Sequence, residues 1–311
     1  MADKDYIYAV SRVRFKEKYC LDRAFISSLA SARSYGDALK LLADKGIEGN
    51  DIADICGRLE DELDKFMAEI VSKSDMVVVF AENDFHNLKA AVRSSVFEKA
   101  EDLYLPNGAV NAKDIESAVK EERFEDLPDY MRDAAKDALK RLRETGDGQL
   151  CDIIIDKAMA KYMLSFTEGF FGYYALHTVS VNDLKTAVRG SMMKKKSAFF
   201  DEALIDTPFI DAKKLKAAAL SGNVGEYISS TDYKKCAEAL KTSAASFERA
   251  CDDVLMAKVK EYKREFFGIE PIAAYYLGKQ SEIKTLRVIL TAKLYGVGDD
   301  YMKERLREAY V

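Results

Sequence analysis

A seven-residue pattern that returns along the chain constrains the fold more than any other feature of the sequence. Residues 87–93 read NLKAAVR, residues 183–189 read DLKTAVR, and residues 282–288 read EIKTLRV. Their lysines are Lys89, Lys185 and Lys284, which lie 96 and 99 residues apart. This period is close to the size of a small domain. The spacing predicts an internal threefold repeat of about 100 residues.

Segments around the pattern repeat at nearly the same offset. Phe-Phe-Gly occurs at 170–172 and again at 266–268. The sequence VNAKDI at 110–115 is similar to IDAKKL at 210–215. A single shared heptapeptide could arise by chance in a helix-rich chain. Several matches in the same order are much harder to obtain by chance, so they favour true repetition.

The repeated cations are the candidate functional positions. In the first two copies Lys and Arg are four residues apart, which places both on one face of a helix. An unpaired buried charge is costly, so each cation must face a carboxylate of its own domain or an open surface that meets a partner. Both alternatives stay open for the six positions, which are Lys89, Arg93, Lys185, Arg189, Lys284 and Arg287.

Composition predicts an all-α globular protein. The chain has 311 residues, of which 48% are hydrophobic and 32% charged, with four prolines and no tryptophan. A chain of this length normally divides into two or three domains. Together with the recurring pattern, this predicts three similar helical domains. Two of them are residues 59–147 and 148–246, and the third combines 247–311 with 1–58.

Several local features can be predicted from the sequence. Met76–Phe80 is strand-like but has helical sequence on both sides, so we expect a buried helical turn. Residues 283–297 should bury a stripe of Ile283, Leu286, Leu290, Leu294 and Val297. We expect helices carrying the pattern to run from Glu82 to Lys99, to begin after Ser180 and to begin near Ser281, with Ser34 and Asn50 capping two earlier helices.

Charge and motif content exclude several classes of function. The net charge of −5 argues against a nucleic-acid partner. No Walker sequence, nucleophile elbow, dinucleotide fingerprint or His-x-x-x-His pair occurs, so we expect no catalytic site, cofactor or metal. His86 beside Asp84 could ligate a metal, but a packing role is the better interpretation.

Cysteine usage and hydropathy indicate the compartment. The five cysteines are scattered, and none forms a Cys-x-x-Cys pair, so we expect reduced thiols in a cytoplasmic protein. The apolar runs are much shorter than the roughly 20 residues that cross a bilayer. The basic run 194–196 after Met192 and Met193 could contact an acidic partner or lipid headgroups, although a solvated helix end is the simpler interpretation.

The residues 83–89, NDFHNLK, are similar to the "ND-aromatic-HN-L-K" signature of the family of C subunits of V/A-type ATPases, whose eukaryotic V-ATPase member is called the d subunit. The C-terminal blocks 269–272, 282–287 and 304–311 also resemble that family, as does the opening 8–14. The resemblance runs from end to end and is looser in the middle third.

This resemblance implies an all-α protein whose three similar domains form a funnel with pseudo-threefold symmetry. It also implies a non-catalytic part of the central stalk on the cytoplasmic face of a membrane rotor ring. Such a protein receives the foot of the central shaft and carries torque between the ATPase head and the ion-translocating ring. Its partners would be the ring and shaft subunits, and it would have no transmembrane segment. Two alternatives remain: a free-standing helical scaffold that binds a partner in its cavity, and an enzyme whose site is too dispersed to see in sequence.

Overall fold

The computed structural model describes residues 6–97 and 104–311, and all regular secondary structure in these ranges is helical. The predicted all-α class is therefore confirmed. The α-helices of the described residues, in chain order, are α1 (Ile7–Lys16), α2 (Arg23–Ala30), α3 (Tyr35–Ala43), α4 (Ile52–Ile70), α5 (Val77–Ser94), α6 (Ala112–Lys120), α7 (Asp129–Thr145), α8 (Gly148–Met163), α9 (Gly169–Met192), α10 (Ser197–Ala203), α11 (Ala212–Ser221), α12 (Val224–Ser229), α13 (Lys234–Leu240), α14 (Ala244–Glu261), α15 (Glu270–Leu294) and α16 (Asp299–Lys303).

The chain divides into two compact units. The terminal unit combines Met1–Asp75 with Tyr233–Val311, and the middle unit is Met76–Asp232. The first and last helices thus belong to one unit. The finer division into residues 59–147, 148–246 and 1–58 with 247–311 stays a prediction, as does the pseudo-threefold arrangement.

Helix α15 forms the centre of the terminal unit. It packs against α1, α2, α3, α4, α14 and α16. A helix surrounded in this way must be apolar on most of its circumference. Of its predicted stripe, Ile283, Leu286 and Leu290 are at most 1% exposed. Leu294 was expected to be buried but is 48% exposed, because it is the last residue of the helix and extends past the core.

Helix α5 has the corresponding position in the middle unit. It packs against α6, α7, α8 and α9. Val78, Val79 and Phe80 lie in its first turns and are at most 6% exposed, so the predicted buried helical turn at Met76–Phe80 is confirmed. Apolar β-branched residues can form a helix where tertiary packing outweighs their intrinsic preference.

The helices that carry the pattern begin earlier than predicted. Helix α9 starts at Gly169 and α15 at Glu270, so the expected starts after Ser180 and near Ser281 are wrong. Ser180 resembles a helix cap, but it lies within α9 and its Oγ is 2.9 Å from Thr207 Oγ1. Helix α5 also ends at Ser94, and the predicted end at Lys99 lies outside the described residues.

Helix caps were predicted with mixed success. Ser34 Oγ accepts a hydrogen bond from Asp37 N at 3.1 Å, which confirms this cap. Asn50 is not the cap of α4, because Asp51 Oδ1 accepts from Asp54 N at 2.8 Å. Asn50 instead donates its own backbone N–H to Asp54 Oδ2 at 2.9 Å. Within the described residues, no helix is both long and apolar enough to cross a membrane.

Candidate functional site

The seven-residue pattern lies near the C-terminal half of three helices, α5, α9 and α15. In each copy the residue before the apolar-Lys pair is polar: Asn87, Asp183 or Glu282. All three are nearly inaccessible, with 0%, 4% and 6% exposure. A buried polar side chain needs a hydrogen-bond partner, so these residues indicate what the repeat preserves.

In the first copy, Asn87 binds a loop in two directions. Its Oδ1 accepts from Leu105 N at 2.7 Å, and its Nδ2 donates to Leu105 O at 2.9 Å. One turn earlier, Asp84 Oδ1 accepts from Val110 N at 3.0 Å. A Cβ added to Gly108 would lie 2.3 Å from this oxygen, so only glycine fits there.

The second and third copies repeat this arrangement with carboxylates. Asp183 Oδ2 accepts from Ile205 N at 2.9 Å, and Glu282 Oε2 accepts from Leu21 N at 2.8 Å. Leu105 and Ile205 follow Asn87 and Asp183 by 18 and 22 residues. Leu21 instead precedes Glu282 by 261 residues. In the third copy, a segment near the N-terminus therefore supplies the equivalent contact.

Burial changes the acidity of both carboxyl groups. Desolvation raises the pKa of Asp183 to about 7, opposed by the hydrogen bond from Ile205 N and reinforced by nearby Asp206. Desolvation also raises the pKa of Glu282, while its ion pair with Lys279 acts in the opposite direction. Each carboxyl group accepts a hydrogen bond from a backbone N–H, and this bond fixes both the loop and the orientation of the carboxyl group.

The cations of the first copy are paired inside the middle unit. Lys89 Nζ binds Asp156, and Arg93 Nη2 binds Asp152, so two cations of α5 face two carboxylates of α8. The carboxylates are four residues apart, as are the cations, so both pairs lie along one helix–helix seam. This spacing was visible in the sequence, but Asp133 and Asp137 share it, so spacing alone does not identify the partners. Desolvation raises the pKa of Asp152, with Arg93 and Lys89 opposing that change.

The contacts of the other two copies differ from those of the first. Arg287 of α15 binds Glu60 of α4 at 3.0 Å, with half of its side chain exposed. Lys284 is exposed and Lys185 is half-buried. Neither lysine has an ion pair with any residue in the described ranges. Arg189 is exposed. The ion pairs of these positions therefore differ from one copy of the pattern to the next.

The histidines, the cysteines and the basic run 194–196 were the other candidate groups. His177 is 3% exposed and stacks on Tyr173 with ring centroids 6.0 Å apart, whereas His86 is exposed. In the part of the chain that the structure describes, no three His, Cys, Asp or Glu side chains are arranged to hold a metal. None of the five cysteines is in a disulfide. Lys195 of the basic run donates to Gln149 Oε1 at 2.9 Å.

These contacts define an all-α protein in which buried polar residues of the recurring pattern hold helices against loops. The chain belongs to the ATP synthase (C/AC39) subunit family, whose model matches residues 9–305. It is thus a member of the family of C subunits of V/A-type ATPases, as the sequence signature at 83–89 indicated.

Relatives with assigned names span most of the chain. The C subunit of the V-type sodium ATPase of Enterococcus hirae is 22% identical over 281 residues, covering 86% of this chain and 84% of the relative. The C subunit of the A-type ATP synthase of Methanocaldococcus jannaschii is 23% identical over an alignment of 343 positions, covering 97% and 86%. The C subunit of the A-type ATP synthase of Methanobrevibacter smithii is 27% identical over 263 residues, covering 74% and 67%.

Proposed function

We propose that this chain is the non-catalytic coupling between the central shaft and the membrane rotor ring of a V/A-type ATPase. The observation that carries the proposal is the family match across residues 9–305, which covers nearly the whole chain. The assignment to the cytoplasmic face of the membrane is part of the same proposal.

A coupling that transmits torque must resist deformation, and the hydrogen bonds of the pattern helices support this role. Each of α5, α9 and α15 is fixed to a distant loop through a buried polar side chain. Breaking such a bond leaves a desolvated group without a partner, which costs about 1–3 kcal/mol. The loops therefore cannot separate from the helices cheaply under load.

Five of the six cations then divide into two groups with different roles. Lys89 and Arg93 are paired with α8, and Arg287 with α4, so we assign them to contacts within their own units. Lys185 and Lys284 have no ion pair in the described residues, and we assign them to contacts with acidic groups of the shaft or ring. Charges at such a contact mainly affect association rate and salt dependence.

Co-purification tests the proposal directly. A tagged chain would be expressed together with the ring and shaft subunits of the same complex and purified in mild detergent. We expect ring and shaft to be recovered with it, and ion transport to require it. A complex that assembles and transports ions without this chain would contradict the proposal. A chain that binds neither partner would instead fit a free-standing scaffold.

Two matched variants separate the roles of the cations. Lys185→Gln with Lys284→Gln should leave the melting temperature unchanged and weaken recovery of the shaft or ring. Lys89→Gln with Arg93→Gln should lower the melting temperature and leave the salt dependence of assembly unchanged. The reverse outcome would show that the assignment is wrong.

A further inference from the structure

The terminal unit contains a cleft that the coupling role does not use. It has a volume of about 540 Å³ and lies between the end of α1, the α2 and α4 helices, the loop after α3, and α15. Pockets that hold small molecules have volumes of roughly 300–1,000 Å³. The cleft is therefore large enough for an organic ligand and much larger than a simple inorganic ion requires.

Three lysines at this cleft have no carboxylate partner among the described residues. Lys16, Lys18 and Lys45 are exposed, and each instead lies over an aromatic ring. The distances from Nζ to the ring centroid are 5.5 Å to Phe66, 5.7 Å to Phe15 and 5.3 Å to Phe25, in that order. A cation–π contact leaves most of the ammonium charge available to an incoming anion.

The negative groups at the cleft offset this charge only in part. Asp22 Oδ1 already accepts the hydrogen bond from Phe25 N at 2.7 Å as the cap of α2. Glu62 is exposed at the mouth. Burial raises the pKa of Cys20 to about 12, so its thiol is neutral at physiological pH. The fourth lysine, Lys279, is neutralised by Glu282. The three lysines outnumber the two carboxylates, Asp22 and Glu62, so the mouth of the cleft has a small net positive charge.

Its deeper walls are apolar and aromatic. Leu59, Leu63 and Tyr275 are at most 9% exposed and form part of the lining. Tyr19 at the rim is 66% exposed and packs edge-to-face with Phe15 at 5.6 Å between centroids. Flat exposed rings are suited to stacking on a planar group. A ligand that suits this lining combines negative charge with a planar apolar body.

We propose that this cleft binds a nucleoside polyphosphate, with its phosphates between Lys16, Lys18 and Lys45 and its base against the aromatic walls. Lysine is a common phosphate ligand because its ammonium acts as a compact point charge. The site lies within the terminal unit and is independent of the coupling role. Binding to the isolated chain and assembly with ring and shaft can therefore be measured separately.

Titration calorimetry of the isolated chain tests the site. ATP and ADP are titrated without divalent cations so that the phosphates keep their full charge, and tripolyphosphate and adenosine are titrated in parallel. We expect ATP to bind at least about tenfold more tightly than tripolyphosphate or adenosine, a difference of about 1.4 kcal/mol. Absence of ATP and ADP binding would overturn the proposal. Tripolyphosphate binding as tight as ATP binding would also overturn it, because the base would then contribute nothing.

A charge-matched pair of variants locates the binding. Lys16→Gln, Lys18→Gln and Lys45→Gln together should weaken ATP binding at least about tenfold. The control removes three exposed lysines away from the cleft, Lys136→Gln, Lys213→Gln and Lys235→Gln, and should leave the affinity within about twofold. Circular dichroism confirms that both variants fold. Equal losses in the two variants, or no loss in the first, would show that the cleft is not the site.

Discussion

Asp183 Oδ2 accepts the backbone N–H of Ile205 at 2.9 Å in the same way that Asn87 Oδ1 accepts that of Leu105 at 2.7 Å. The two residues occupy the same place in successive copies of the pattern, yet only one can ionise. Asn87 also donates to Leu105 O, a bond that an ionised carboxylate cannot make. The first copy therefore indicates that an amide at position 183 would be more favourable than an ionised carboxylate.

Asp183→Asn should stabilise the chain at neutral and alkaline pH. The folded-state pKa of Asp183 is raised from 3.8 to about 7, so the folded protein favours the protonated carboxyl. The stability contributed by this group is present below pH 3.8 and is lost as pH rises through about 7. The variant should be more stable than the wild type by about 1–3 kcal/mol at pH 8.

Chemical denaturation across pH measures this effect as a difference between the two proteins, which removes the contributions of other groups. The difference in unfolding free energy should grow in favour of Asn as pH rises, and it should vanish in acid. Asn87→Asp is the reciprocal variant, and it should be destabilised more at high pH than at low pH. A difference that does not change with pH would mean that Asp183 is not held in its protonated form.

The seam between α5 and α8 should show coupling between its charges. Replacing Lys89 and Arg93 by Gln should cost about 1 kcal/mol, because the pairs with Asp156 and Asp152 are only partly exposed. A double-mutant cycle of Arg93→Gln with Asp152→Asn should give a coupling energy of about 0.5–1 kcal/mol. Lys284→Gln, which removes an exposed lysine, serves as the control and should change stability by less than about 0.5 kcal/mol. A coupling energy of zero would mean that the charges lie close together without stabilising the fold.

The all-α class could be predicted from the sequence, but the contacts made by the residues of the recurring pattern could not. Helical periodicity is local, so α5, α9 and α15 could be recognised from their own residues. The partners of Asn87 and Glu282 depend on chain segments that are 18 and 261 residues distant. Nothing in a local pattern specifies such a partner. The polar identity of the residue before each apolar-Lys pair was the available signal.

The errors at helix ends have a related cause. Ser180 has the chemistry of a cap, but in the folded chain its hydroxyl is used by Thr207. Leu294 continues the apolar periodicity of α15, but it lies beyond the core and is exposed. In both cases tertiary contacts decide between two local options that the sequence leaves nearly equal in energy. The two lysines without ion pairs, Lys185 and Lys284, could not be distinguished from Lys89 for the same reason.

The hydrogen bond from Leu21 N to Glu282 should hold the N-terminal segment against α15. Glu282→Ala removes the acceptor of Leu21 N and leaves Lys279 without its carboxylate, so we expect a loss of about 3–5 kcal/mol, as for a broken buried ion pair. Glu282→Gln keeps an acceptor for Leu21 N and should cost less. Hydrogen exchange at Leu21 N should be faster in the Ala variant than in the Gln variant. Equal exchange in both would show that another contact holds this segment.

The C-terminal Tyr310 should require glycine at position 278. A Cβ at Gly278 would lie 2.4 Å from the Tyr310 ring, which is 3% exposed and whose hydroxyl donates to Glu17 Oε1 at 2.5 Å. Alanine is normally favoured over glycine in a helix by about 1 kcal/mol, so the sign of the change identifies the cause. Gly278→Ala should lower stability by about 1–3 kcal/mol, because the ring must move away from α15.

Gly57→Ala is the matched control, since it lies in α4 with no heavy atom within 4 Å of the added Cβ, and it should raise stability by up to about 1 kcal/mol. Thermal unfolding of the two variants distinguishes these effects. If Gly278→Ala were as stabilising as Gly57→Ala, the ring of Tyr310 would not be held against α15 in solution. Tyr310→Phe should keep the packing and lose only the hydrogen bond to Glu17, at a cost of about 1–2 kcal/mol.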